Sequence, residues 1–200
     1  MKILVIRHGE SLADILKVHE GRADFELTEK GKNQVSLLAE YIKKNFNVSV
    51  IYSSTLKRAK ETAQILSYAT NSSLIMKDEL MEFNNGKLAG LSYEVANILY
   101  PYVDVPISES VYDMECVLDF HNRANRILEE IISITKDDET IAIISHGGLI
   151  KRLYMNFMGF EVISNVSYPS GDTGLHIWEI DNNKRFIRSS NYLEHTKNIG

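Results

Sequence analysis

The sequence predicts an α/β fold, a three-layer α/β/α sandwich around a mostly parallel central sheet. Two observations carry that expectation. The apolar runs Ile3-Leu4-Val5-Ile6 and Ile141-Ala142-Ile143-Ile144 each stop abruptly, at Arg7-His8-Gly9-Glu10 and at Ser145-His146-Gly147-Gly148. A short run of mostly β-branched residues ended by glycine is the pattern of a parallel strand covered on both faces. Between the two, short apolar runs alternate with stretches of helical periodicity, the order of βαβ units. Ligands of such sheets sit beyond the carboxyl ends of the strands, so both histidines stand at the edge where a site is expected.

After Arg7-His8 the chain reads as irregular to Asp24. Thr28 is then placed to cap a helix running to about Asn45, with Val35, Leu38, Ala39 and Ile42 on one face. Val48 to Tyr52 is the next strand, and Ser53-Ser54 open a helix carrying Leu56, Ala59, Ala63 and Leu66. A short strand, Leu74 to Met76, leads into a loop holding Glu82, Gly86 and Gly90. Ser92 caps a further helix that Pro101 closes. Leu118, Ala124, Ile127, Leu128 and Ile131 mark a long amphipathic helix from Val117 to about Ile134. A helix from near Gly148 ends by Gly159. Leu175–Ile180 and Phe186–Ser190, around Asp181-Asn182-Asn183, read as a terminal hairpin with Trp178 packed in it.

Composition narrows the function classes. With 200 residues and 44% apolar content, the chain is expected to form one domain over 1–200, with an insertion at about 82–113 acting as a lid. A net charge of −5 argues against a nucleic-acid partner. The single Cys116 excludes an intrachain disulfide, and no run is long enough to span a membrane, so a cytoplasmic location is expected. No cysteine–histidine spacing suggests a metal and no glycine-rich loop suggests a nucleotide, so no cofactor is expected. His19, His121, His176 and His195 lie outside any motif and read as structural. Oligomeric state cannot be read from the chain.

The two strand ends propose their own chemistry. A phosphate monoester is a dianion, and planar guanidinium groups bind its oxygens in pairs. Arg7 is one candidate. Arg58 is the other, in the first turn of the Ser54-capped helix, where the dipole and free N–H groups favour anions. These cations would keep the imidazole of His8 neutral, at a solvent-facing cleft, with its Nε2 free to attack phosphorus. The departing alkoxide then needs a proton, for which Glu82 is the best-placed carboxyl. His146 would donate to the phosphoryl oxygens.

These residues also carry a resemblance. Arg7–Ser11, then Asp24, Leu27-Thr28 and Gly31, then Ser53–Ala59 with Thr62-Ala63, then Glu82, Gly86, Gly90 and Leu91, and finally Ser145–Gly148 form five ordered motifs. In that order they resemble the histidine phosphatase superfamily, in the branch that includes cofactor-dependent phosphoglycerate mutases. The resemblance implies a phosphoglycerate mutase-like fold, His8 as nucleophile, Glu82 as proton donor, and Arg7, Arg58 and His146 as the phosphate pocket. It adds Ser11, Asp14, Glu20, Gly21 and Gly147 as substrate contacts, no metal, a small phosphorylated metabolite as substrate and phosphate as product. Phosphoglycerate mutase-type transfer and a non-catalytic phospho-ligand module are the alternatives.

Departures from the family pattern set further expectations. Asp14 and Glu20 stand where many relatives carry amides, and an ionised carboxylate cannot donate to phosphate. Two carboxylates at the mouth should disfavour a second acidic group on the substrate, unless Lys17 or Arg22 neutralises them. Leu88-Ala89 replaces an aromatic–acidic pair, which implies a less anchored loop beside Glu82. Pro101–Asp113 matches no family signature.

Overall fold

Six strands form one sheet in the order β3-β2-β4-β1-β5-β6 in the computed structural model, which describes residues 1–197. The last three positions of the expected 1–200 domain lie outside the described residues. β1 (Lys2–Arg7), β2 (Val48–Ser53), β3 (Ser73–Met76) and β4 (Thr140–Ser145) run parallel. β5 (Leu175–Asp181) and β6 (Lys184–Tyr192) form an antiparallel hairpin that pairs with β1 along β5. Its turn places Asn182 at φ 48° and Asn183 at φ 62°. Both central residues of a type I′ turn need that left-handed backbone, and asparagine tolerates it.

The sheet is covered on both faces, which explains why its central strands read as unbroken apolar runs. Along β1, Ile3 and Val5 point to one face, where they meet Ala124, Ile127 and Leu128 of α5 (Val117–Ile134) and Leu149, Ile150 and Leu153 of α6 (Gly147–Phe157). Leu4 and Ile6 point to the other, packing with Leu38, Ala39 and Ile42 of α2 (Glu29–Asn45) and with Ala59, Ala63 and Leu66 of α3 (Lys57–Thr70). Trp178 of β5 is fully buried, with Nε1–H donating to the Tyr168 hydroxyl at 2.9 Å.

Thr28 caps α2, accepting from the amide of Gly31 at 2.9 Å, as expected. Two local readings need correction. The stretch after His8 contains a short helix, α1 (Leu12–Leu16), which buries only Ala13 and so leaves almost no apolar stripe to read. Helix α3 begins at Lys57 with Leu56 as its N-cap, not at a Ser54 cap. Ser54 leaves β2 fully buried with its hydroxyl turned toward His146, so two more residues are needed before the helix can start. Arg58 still falls in the first turn.

The chain leaves β1 toward β2 and leaves β4 toward β5, in opposite directions along the sheet. The crevice between their carboxyl ends is therefore the topological switch point, where open α/β sheets hold ligands. Residues 82–116 lie between β3 and α5. They contain a tight turn at Gly86–Leu88 and α4 (Tyr93–Leu99), whose N-cap Ser92 accepts from Val95 at 3.3 Å. Two bonds at 2.8 Å, His19 to Leu91 and Gly90 to His19, tie this segment to the loop after α1. No helix among the described residues is long and apolar enough to cross a membrane.

Candidate active site

Register places the two histidines side by side. Arg7 pairs with Ser145, so the next residue of each strand, His8 and His146, leaves the sheet at the same level, with ring centroids 5.0 Å apart. The sequence reading put His8 at a solvent-facing cleft. It is instead fully buried, because Arg58 and Glu20 close over it. Its Nδ1 lies 2.8 Å from the carbonyl of Gly9 and must carry the proton to bond there. Nε2 therefore presents a lone pair, which receives Arg58 Nε–H at 3.2 Å. Burial first, then the Arg58 and Arg7 charges, hold this imidazole well below its ordinary pKa and keep it neutral.

Arg58 is fully buried, which for a guanidinium demands partners all round. Its two terminal nitrogens donate to the carbonyls of Ala23 at 2.9 Å and Gly21 at 2.7 Å, and Glu20 Oε1 lies 3.0 Å from Nε. Arg7 is braced by the Ser170 carbonyl at 2.8 Å and by Asp172 at 3.2 Å, with Asp14 3.8 Å away. Its Nε is buried without a partner among the described residues, a donor still open.

His146 is partnered by a serine. Its Nε2 lies 2.8 Å from the Ser54 hydroxyl, whose oxygen already accepts the amide of Leu56 at 3.3 Å. When the hydroxyl donates to Nε2 the ring proton sits on Nδ1; when it accepts with its second lone pair the ring proton sits on Nε2. Nδ1 is buried with no partner among the described residues, and with Ser54 donating to Nε2 it is an N–H left for a ligand. Burial, followed by Arg58, depresses this imidazole as well.

Glu82 reaches the same edge from its loop. Its two oxygens accept the amides of Phe83 and Gly148, each at 2.8 Å, which seats the carboxyl on the N-terminal turn of α6. Glycine at 148 leaves room for this contact: a β-carbon would stand 2.5 Å from Glu82 Oε1 and displace the carboxyl. The expected weak anchoring of this loop is corrected. Arg123 on α5 donates to the carbonyls of Glu79, Met81 and Glu82 at 2.6, 2.7 and 3.2 Å and pairs with Glu115 at 2.7 Å. The anchor comes from a distant helix, so substitutions within the loop do not reveal it.

Of the other expected contacts, Ser11, Asp14, Glu20 and Gly21 gather around Arg7, His8 and Arg58, and Gly147 opens α6 beside His146. Gly21 has φ +44°, and a β-carbon would strike the Asn85 side chain at 1.9 Å. Arg22 does not neutralise the mouth carboxylates; it reaches Glu115 at 3.7 Å and the Glu82 carbonyl at 3.4 Å. Beside the Glu82 loop, a cavity of about 340 Å³ is walled by Phe83, Tyr100, Val103, Tyr112, Met114 and Val117, with Glu109 and Glu115 as its charged lining. Among the described residues no group of three or more His, Cys, Asp or Glu is arranged to hold a metal.

Two guanidiniums and two imidazoles of lowered pKa converge on this crevice, a set of groups suited to receiving an anion. The model of the histidine phosphatase superfamily, branch 1, matches residues 3–192. The chain belongs to this superfamily. It is a phosphatase enzyme, as its relatives indicate. It is 26% identical over 200 residues to phosphoserine phosphatase 1 of Hydrogenobacter thermophilus, covering 98% of this chain and 94% of that one. It is 32% identical over 160 residues to phosphoglycerate mutase-like protein 4 of Arabidopsis thaliana, covering 76% and 69%. Among solved structures, Bacillus stearothermophilus YhfR superposes with a TM-score of 0.87 at 24% identity, covering 97% and 98%. Phosphoserine phosphatase of Entamoeba histolytica, solved with 3-phosphoglyceric acid, gives 0.78 at 25% identity, again covering 97% and 98%. The expected three-layer, phosphoglycerate mutase-like sandwich is what this histidine phosphatase has.

Proposed function

We propose that this histidine phosphatase hydrolyses monoesters of small phosphorylated metabolites through a phosphohistidine at His8, without a metal. The observation that carries the reading is the His8 tautomer: the proton is committed to Gly9, and the Nε2 lone pair is buried beside Arg58. Nε2 attacks phosphorus while the bond to the ester oxygen breaks, and Glu82 passes its proton to that oxygen. Each carboxyl oxygen of Glu82 keeps a lone pair beyond the one its backbone amide uses, so a proton can be held there. In the second half, Glu82 takes a proton from water, the hydroxide oxygen bonds to phosphorus, and the P–N bond breaks to release phosphate. Arg7, Arg58 and the Nδ1–H of His146 share the charge that spreads over the phosphoryl oxygens. With two guanidiniums supplying positive charge, no divalent ion is needed for that task. Ser11, Gly21 and Gly147 complete the walls of the site, Asp14 and Glu20 its mouth, and residues 82–113 form the lid over the leaving group.

Relatives named phosphoserine phosphatase, one of them metal-independent, support this reading. The acidic mouth and the apolar cavity beside Glu82 favour a leaving group without a second strong negative charge. The test is a panel of metabolite monophosphates, each with and without bisphosphoglycerate and with a chelator. We expect phosphate released one for one with ester consumed, unchanged by chelation and blocked by vanadate. Transfer of the phosphoryl group to a second position, dependent on bisphosphoglycerate, would install the mutase reading instead.

Ser54 acts on this chemistry through His146. Ser54→Ala removes the hydroxyl partner of His146 Nε2 and is expected to lower kcat roughly 10–100-fold, the scale of one lost hydrogen bond to a group acting in the transition state. Nitrogen NMR of His146 should show the proton redistributing from Nδ1. An unchanged tautomer with lowered kcat would make Ser54 a packing residue only.

A further inference from the structure

Among the described residues, Glu20 is the one acidic group paired with His8 Nε2. Its Oε2 lies 3.7 Å from His8 Nε2, its Oε1 lies 3.0 Å from Arg58 Nε, and the same Oε1 receives the Ser11 hydroxyl at 2.6 Å. An imidazole poised to attack needs phosphorus at ~3–3.5 Å from that nitrogen, with phosphoryl oxygens on the guanidinium. The carboxylate of Glu20 borders this position and uses the Arg58 donor that a phosphoryl oxygen would need. It is a built-in mimic of the anion the site binds.

We propose that Glu20 gates the anion site: a phosphoryl group enters only when the Glu20 carboxyl is protonated, so that each anion bound takes up one proton there. The inference rests on the reading of this crevice as the phosphoryl site. It adds the group that decides when the site is open.

Two features make protonation, rather than withdrawal of the segment, the way to clear the charge. First, the backbone around Glu20 is pinned. Ala23 donates to the Glu20 carbonyl at 2.8 Å, His19 and Leu91 bond at 2.8 Å, and Arg58 holds the Gly21 carbonyl at 2.7 Å. Second, the Ser11 hydroxyl has one proton and two carboxylate neighbours, Glu20 at 2.6 Å and Asp14 Oδ2 at 3.1 Å. A proton on Glu20 resolves that competition: Ser11 donates to Asp14, and Glu20 donates to Ser11 or to a phosphoryl oxygen.

The charged groups facing Glu20 are Arg58 from α3, Asp14 from α1, and Arg7 and His8 from the end of β1. Burial raises the Glu20 carboxyl above the usual carboxylate range, and the Arg58 charge pulls the other way. Asp172, beyond Arg7, is also raised by burial. Burial, then the Arg58 and Arg7 charges, lowers the His8 pKa well below its ordinary value. The sign follows. As pH rises through the Glu20 pKa, the carboxylate forms, reclaims Arg58 and Ser11, and repels the incoming anion. With one linked proton, affinity falls by up to ~10-fold for each pH unit above that pKa.

The test is calorimetric titration with inorganic phosphate from about pH 5 to about pH 8, on the wild-type protein, Glu20→Gln and Glu20→Ala. The ligand's own ionisation and that of Asp172 are common to all three, so the ratios isolate Glu20. We expect Glu20→Gln to bind at least ~10-fold tighter at the alkaline end, with the difference closing as pH falls. Buffers of different protonation enthalpy should show one more proton taken up by the wild type than by either variant. Should Glu20→Gln fail to fold, Glu20→Ala carries the same comparison. Equal pH slopes and equal proton uptake would overturn the proposal, and so would an absence of phosphate binding in every protein at every pH. If phosphate binding loses its extra proton in the variants but no monoester is hydrolysed by any of them, the gate stands and the phosphatase mechanism falls. If monoesters are hydrolysed with no difference in proton linkage, the gate falls alone.

Discussion

His8→Ala is expected to lose nearly all turnover, on the order of 10³-fold or more, because among the described residues no other imidazole stands beside Arg58 with its Nδ1 proton committed to a backbone carbonyl. The companion experiment mixes wild-type protein with a labelled phosphomonoester and quenches within the first turnover. Label should appear on His8, stable in base and labile in acid, and should be absent in the variant. His8 is fully buried and bonds to Gly9 and Arg58, so the substitution also opens a small void and leaves Arg58 Nε–H to Glu20 alone. A stability cost of about 1–3 kcal/mol is expected, small enough to leave a folded protein. His8→Asn, which keeps most of the volume, should give the same loss of turnover with less destabilisation. Label found on serine or cysteine, or a His8→Asn variant that still turns over, would refute the covalent mechanism.

What the sequence revealed of this arrangement depended on how local each signal was. β1 and β4 were legible because α2 and α3 cover one face and α5 and α6 the other, which forces every residue of both runs to be apolar. The two histidines were legible for the same reason, since polar residues that end such runs have nowhere to go but the carboxyl edge. Helix α1 was not, because five residues burying one alanine leave no periodicity. Ser54 was read as a cap on the strength of its residue type. Only the register of β2 against β4, which sets Ser54 beside His146, shows that its hydroxyl faces the ring.

Charged residues were the harder case. Arg123 carries no motif, yet it holds the Glu82 loop through three carbonyls from a helix some 40 residues away in sequence. A signal was available in principle: an arginine on the face of α5 that otherwise packs toward the sheet edge must find partners there. Glu20 was legible as a departure from the family pattern, and its consequence was read as repulsion of acidic leaving groups. Its contact with the nucleophile depends on the fold of the loop after α1, which Gly21, Ala23 and Arg58 fix together. No spacing rule anticipates that.

The second large effect separates Glu82 from the groups that hold the phosphoryl unit. If Glu82 protonates the leaving oxygen, Glu82→Gln should slow esters of ordinary alcohols by ~10²–10⁴-fold while barely affecting esters of good leaving groups such as nitrophenol. Arg58→Ala should damage both classes alike, since it grips the phosphoryl group whatever departs. The geometry adds a refinement. Both Glu82 oxygens accept backbone amides, so an amide side chain turns its NH₂ toward either Phe83 or Gly148 and costs one hydrogen bond, about 1 kcal/mol. That cost displaces the loop for every substrate, and only the ratio between ester classes reports on proton transfer. Gly148→Ala offers an independent route to the same ratio. Its new methyl group would stand 2.5 Å from Glu82 Oε1 and push the carboxyl off the α6 terminus without changing its chemistry. The expected result is a selective loss with poor leaving groups in both variants. Equal losses across ester classes in both would make Glu82 a structural clamp, and Asp14 and Glu20 would then be the carboxyls to test as the proton source.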